Sequence, residues 1–212
     1  EIMPSLVGSE MCIRDSDWVK EILGDQAENV DLTLLLGNGT DMHSFQPTME
    51  DILKVSTCDL FIYVGGESDS WVADALKGAG NPDRKAINLM DVLGDQVKEE
   101  ELVEGMQDED DHTHEEGHTH DDDLEYDEHV WLSLKNASLF CDTIASSLAD
   151  ADPEHSRLYQ QNAEAYEEKL AALDQEYQTS VEKSQSKTLL FADRFPFRYL
   201  IDDYNLTYYA AF

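Results

Sequence analysis

A chain of 212 residues, 41% of them apolar, can bury one large core or two small ones. Its 47 Asp and Glu residues against 14 Lys and Arg leave a formal net charge of −33. That balance excludes polyanionic partners such as nucleic acid, repels anionic membrane surfaces and attracts cations.

Residues 1–16, EIMPSLVGSEMCIRDS, show neither helical nor strand periodicity and read as a non-native leader, set aside from the fold. Glu1 is no natural start, so the lack of a signal peptide is silent on export. Around Cys12, SEMC lacks the small residues that a lipid-anchoring cleavage site requires. No stretch approaches the roughly 20 apolar residues of a membrane span. Cys58 and Cys141 lie in apolar surroundings and read as buried thiols.

From Asp17 the pattern is regular. DWVKEILGD ends a helix, with Trp18, Ile22 and Leu23 on one face and Gly24 as its stop. The apolar run 30–36 predicts a buried parallel strand. Thr48 and Asp51 form a capping box for a helix over 49–56. A strand over 60–64, a helix over 71–76 and a strand over 86–90 follow. Such alternation with short links means βαβ units and a covered parallel sheet.

Residues 104–128 break the pattern with 13 acidic residues, four histidines and no Lys or Arg, and read as a disordered, solvated insertion in an N-terminal lobe of residues 17–150. Ser133 then caps a helix whose apolar face is Ala137, Phe140, Cys141, Ile144 and Leu148. Asp152 as cap and Pro153 at the first position start a second helix. Its stripe runs Tyr159, Ala163, Tyr166, Leu170, Leu173, Tyr177 and Val181. Residues 151–186 thus read as a rod linking two lobes, with a coiled-coil partner as the alternative. Strands over 188–192 and 207–212 flank a helical turn, so a second lobe over 187–212 begins and the chain stops inside it.

His43 follows a predicted strand, where open parallel sheets bind ligands, although a lone loop histidine is as readily an ordinary polar residue. His129, in DEHVWLSLKNA, stands beside an apolar triplet that pins the backbone, as a ligand needs. His112, His114, His118 and His120 fall within nine residues among carboxylates, a set suited to loose, exchangeable metal capture. No nucleophile–base pair, H-E-x-x-H or Gly-rich phosphate cradle is legible, so the chain reads as no enzyme.

DMHSFQPTMEDI, the His-rich acidic insertion, DEHVWLSLKNA, the long helix and FADRFPFRYLIDDY, in this order over about residues 17–212, resemble the zinc-type substrate-binding proteins of cluster A-I ABC importers. The resemblance implies α/β architecture, two Rossmann-like lobes with parallel sheets joined by a long backbone helix, the second incomplete. It implies Zn2+ held between the lobes by His43 and His129, with the insertion as a scavenging loop. Where many members carry a third histidine, this chain reads Ala192–Asp193–Arg194, and Asp193 is either a ligand or a structural carboxylate paired with Arg194 or Arg198. Glu67 either supports a ligand from behind or caps a helix.

The implied function is extracytoplasmic capture of Zn2+, as a monomer, for delivery to the membrane permease of an ABC importer. The membrane is met only through a possible lipid anchor that this chain lacks. Imidazole ligands imply release below roughly pH 6. The alternatives are a manganese- or iron-binding protein of the same architecture, for which Mn2+ replaces zinc, and a surface adhesion module with structural metal.

Overall fold

The computed structural model describes residues 5–8, 13–36, 42–78, 80–101, 125–192 and 194–211. Strand β1 (Ser5–Gly8) is followed by helix α1 (Ile13–Leu23), β2 (Asp31–Leu34), α2 (Met49–Thr57), β3 (Leu60–Tyr63), α3 (Val72–Leu76) and β4 (Lys85–Asn88). All four strands are parallel, in the order β2-β1-β3-β4. Parallel neighbours need crossovers, which α1, α2 and α3 supply. The order reverses between β1 and β3, and ligands of such sheets sit at the carboxyl ends beside that reversal.

Strand β3 shows why both faces are covered. Leu60, Ile62 and Val64 enter a core with Trp18, Ile22 and Ile144, whereas Phe61 and Tyr63 pack on the opposite face with Val55 and Val72. Successive side chains of a strand point to opposite faces, so a run of apolar residues serves two layers. Phe61 is fully buried, and truncating it to alanine costs about 3–5 kcal/mol.

Four expectations change. Ser5–Gly8, set aside with the leader, forms the central strand and buries Leu6. Two apolar residues in a four-residue strand are too few to display periodicity. The run 30–36 was expected to be buried throughout; Val30 and Leu36 are buried, but β2 between them is an edge strand and is at most half-buried. The insertion was expected to be solvated through residue 128, yet Asp127 and Glu128 are buried. Backbone bonds from Glu100 N to Glu125 O (2.9 Å) and from Asp127 N to Lys98 O (2.9 Å) tie this segment back to the lobe. Finally, Asp152 does not cap the second long helix.

The helical half is otherwise close to expectation. After α4 (Leu89–Leu93), α5 (Leu134–Ala151) is capped by the Ser133 Oγ, which accepts from Asn136 N at 3.1 Å. Asp152 ends α5, and its carboxylate accepts from the Tyr159 hydroxyl and faces His155 Nδ1, both at 2.7 Å. Partial burial opposes ionisation there, but these bonds outweigh it and hold the Asp152 carboxyl below its ordinary range. Helix α6 (Ser156–Lys183) has 28 residues, roughly 42 Å at 1.5 Å per residue. Tyr159, Ala163 and Leu170 are buried, whereas Leu173 and Tyr177 are exposed. Its first half therefore belongs to the large core.

Beyond α6, β5 (Thr188–Phe191), α7 (Arg198–Asp203) and β6 (Thr207–Ala210) make a two-stranded parallel sheet with its own helix. Ile201, Tyr208 and Ala210 form a small core with Phe191, Phe195 and Phe197. Tyr199, two residues before Ile201, joins the large core instead, so α7 bridges the two units. Ser133 Oγ donates to Asp203 at 2.6 Å, and Lys135 pairs with the same carboxylate at 3.0 Å. No helix among the described residues is long and apolar enough to cross a membrane.

Candidate metal site

His43 and His129 come from segments 86 positions apart in sequence, yet their ring centroids stand 5.5 Å apart. His43 lies on a one-turn 3-10 helix, Met42–Ser44, between β2 and α2, beyond the carboxyl end of the sheet. His129 immediately precedes the 3-10 turn Val130–Leu132, whose Val130 and Trp131 are buried and anchor the backbone. Its ring is 5.3 Å from that of Trp131.

Both rings have their Nδ1 edges engaged. Asp127 Oδ1 accepts from the His129 main-chain N–H at 2.7 Å and lies 3.1 Å from His129 Nδ1. A carboxylate oxygen only accepts, so Nδ1 carries the proton and Nε2 keeps a lone pair for a metal. His43 Nδ1 is 3.1 Å from Ser68 Oγ and 4.0 Å from Glu128 Oε2. The Ser68 hydroxyl can donate to that nitrogen or accept from it. With Zn–N bonds of about 2.0–2.1 Å, two imidazoles at a tetrahedral angle have centroids roughly 5 Å apart. The observed separation fits two ligands of one ion.

The surroundings are anionic. Partial burial, then the nearby charges of Asp127 and Glu125, hold the Glu100 carboxyl above its ordinary range. Glu128 sits in a cradle made by the loop after β3, where Ser68 N donates to its Oε1 at 2.9 Å. Gly66 in that loop has φ +77°, and a Cβ on it would stand 2.3 Å from Glu128 Oε1. Only glycine leaves room for that carboxylate.

Among the described residues no three His, Cys, Asp or Glu side chains form a ready-made metal cluster. Asp193 and the insertion histidines His112, His114, His118 and His120 lie outside the described residues. Glu67 is exposed in the loop after β3, and its neighbour Ser68 is the residue that meets His43. Asp127 and Glu128 went unrecognised in the sequence because they close an acidic run.

The chain matches the profile of a known family, zinc-uptake complex component A, periplasmic (ZnuA), over residues 16–212. It belongs to that family. It is 34% identical over 190 residues to the zinc-binding lipoprotein AdcA of Streptococcus pneumoniae, covering 90% of this chain and 35% of that protein. It is 30% identical to the high-affinity zinc uptake system protein ZnuA of Bacillus subtilis, covering 90% of this chain and 56% of the relative. The chain thus spans about a third to about half of these relatives. The crystal structure of the Zn(II)-bound ZnuA-like domain of pneumococcal AdcA superposes with TM-score 0.73 at 25% identity, covering 99% of this chain and 67% of that one.

Proposed function

We propose that this member of the zinc-uptake family captures Zn2+ outside the cytoplasm and hands it to the permease of an ABC importer. One observation carries the reading: two histidines from distant segments meet at the carboxyl edge of a parallel sheet, each with Nδ1 already engaged. Imidazole nitrogens suit zinc, and pre-oriented rings lose little entropy on binding it. Delivery requires that the ion leave again, which favours few protein ligands over a closed structural site. The role is binding and transfer, without catalysis.

His112, His114, His118 and His120 add a loose first capture step, raising the residence of zinc near His43 and His129. Asp193 supplies an oxygen from the second unit. The chain acts as a monomer, meeting a membrane only through its permease or a lipid anchor.

The test is a Zn2+ titration of the chain and of its His43→Ala/His129→Ala variant, with Mn2+ in parallel. The expected result is a tight zinc site lost in the double variant and weaker Mn2+ binding. Zinc affinity unchanged in the double variant sinks the reading. Mn2+ bound more tightly than Zn2+ supports the manganese alternative.

A further inference from the structure

Tyr199 belongs to α7 in the second unit, yet its hydroxyl lies between the two ends of the acidic insertion in the first. It accepts from Lys98 N at 3.1 Å and donates to Asp127 O at 2.9 Å. Asp127 N donates in turn to Lys98 O at 2.9 Å, so one hydroxyl and two main-chain segments close a ring of three hydrogen bonds. Beside it, Arg198 faces Glu101 at 3.5 Å and Asp202 pairs with Lys98. Helix α7 also packs on the turn Val130–Leu132, and Asp203 holds the Ser133 hydroxyl. The second unit thus grips the chain just before and just after His129.

We infer that Tyr199 is a positioning residue for zinc capture, fixing the main chain at Asp127 and, through it, the direction of the His129 ring. The inference rests on the reading of His43 and His129 as zinc ligands. Asp127 Oδ1 holds the His129 N–H and Nδ1 together only while its own backbone stays in place. Tyr199→Phe keeps the buried ring but leaves Lys98 N and Asp127 O without their shared partner. The segment must then shift to recover those bonds. A ligand whose supporting groups are loosened has to be re-ordered by the ion, and affinity falls. The second unit in this way raises the affinity of the histidine pair through α7, apart from any donor atom it supplies.

The test uses the full chain with His112, His114, His118 and His120 replaced by asparagine, so that only the cleft is titrated, and compares Tyr199→Phe with Tyr204→Phe. Tyr204 is also buried at the end of α7, but its hydroxyl donates to Asp174 of α6 at 2.8 Å, so its loss loosens α7 without opening the ring at Asp127. In the metal-free protein, the ring-nitrogen NMR shifts of His129 are expected to show one Nδ1-protonated form in the parent and in Tyr204→Phe, and a mixture in Tyr199→Phe. Zn2+ affinity is expected to fall about 10-fold in Tyr199→Phe alone, with the visible bands of bound Co2+ shifted. Parent affinity and parent His129 shifts in Tyr199→Phe, with binding lost in His43→Ala/His129→Ala, overturn the role of Tyr199 and leave the cleft standing. Equal losses in the two tyrosine variants trace the effect to a loosened fold and also overturn it. Full Zn2+ affinity in the double histidine variant overturns both the inference and the cleft reading.

Discussion

Asp127 Oδ1 grips His129 twice, accepting its main-chain N–H at 2.7 Å and facing its Nδ1 at 3.1 Å. One carboxylate oxygen thereby sets both the backbone turn and the tautomer of the ring. Asp127 is itself buried, and its carbonyl accepts from the Tyr199 hydroxyl at 2.9 Å. The orientation of a candidate ligand is therefore tied to α7 in the second unit.

Asp127→Ala is expected to weaken zinc by about 10–100-fold, the usual effect of losing a group that orients a metal-bound histidine. Calorimetric titration of the two proteins checks it. Equal affinities would show that the buried Val130 and Trp131 orient His129 unaided.

Tyr199 gives a pH prediction. Burial is the main cause that pushes its phenol up to about 12. The folded state therefore holds the proton more tightly than the unfolded chain, whose tyrosines titrate near 10. The stability this contributes is complete below about pH 10 and is lost as pH rises towards 12. Tyr199→Phe removes the bonds to Lys98 N and Asp127 O and is expected to cost about 1–2 kcal/mol at neutral pH. Urea unfolding between pH 7 and 11 should show the variant's deficit shrinking as pH rises. A deficit that stays constant would contradict the assignment.

Much of this was legible in the sequence because it is local. Thr48 and Asp51 form the expected capping box, with Asp51 Oδ2 accepting from Thr48 N at 2.9 Å. Ser133 caps α5, and Cys58 and Cys141 are buried thiols. Other features depend on distant partners. Burial of Asp127 and Glu128 rests on Ser68, 60 positions away from Glu128, and on Tyr199, 72 away from Asp127. Asp152 looked like a helix cap because Pro153 follows it. In the structure the helix begins at Ser156, and the Asp152 carboxylate accepts from the Tyr159 hydroxyl and faces His155 Nδ1. Neither bond leaves a mark on composition or period.

Gly66→Ala tests the cradle from the other side. The residue has φ +77°, and the added methyl carbon would stand 2.3 Å from Glu128 Oε1 and 2.7 Å from its Cδ. Strain at that backbone angle alone costs about 1–2 kcal/mol. The expected outcome is a lower midpoint in thermal unfolding together with weakened zinc binding. Serine at position 68 serves as the control: Ser68→Ala keeps the N–H that holds Glu128 and removes only the hydroxyl facing His43. It should therefore leave stability within about 0.5 kcal/mol.

The ends of the acidic insertion are pinned together. Glu100 N donates to Glu125 O, Asp127 N donates to Lys98 O, and Glu99 forms an antiparallel bridge with Tyr126. A short linker in place of residues 102–124 can thus join the two sides without moving His129. Closing a shorter loop costs slightly less entropy, about 0.6 kcal/mol per halving of length. The deletion is therefore expected to leave the melting midpoint unchanged or slightly raised. Cleft affinity for zinc should remain within about twofold, while the number of zinc ions bound at saturation falls, because His112, His114, His118 and His120 are gone. Stoichiometry by equilibrium dialysis, with affinity by chelator competition, separates the two effects. Loss of all binding on deletion would place the metal site in the insertion and remove the cleft from the mechanism.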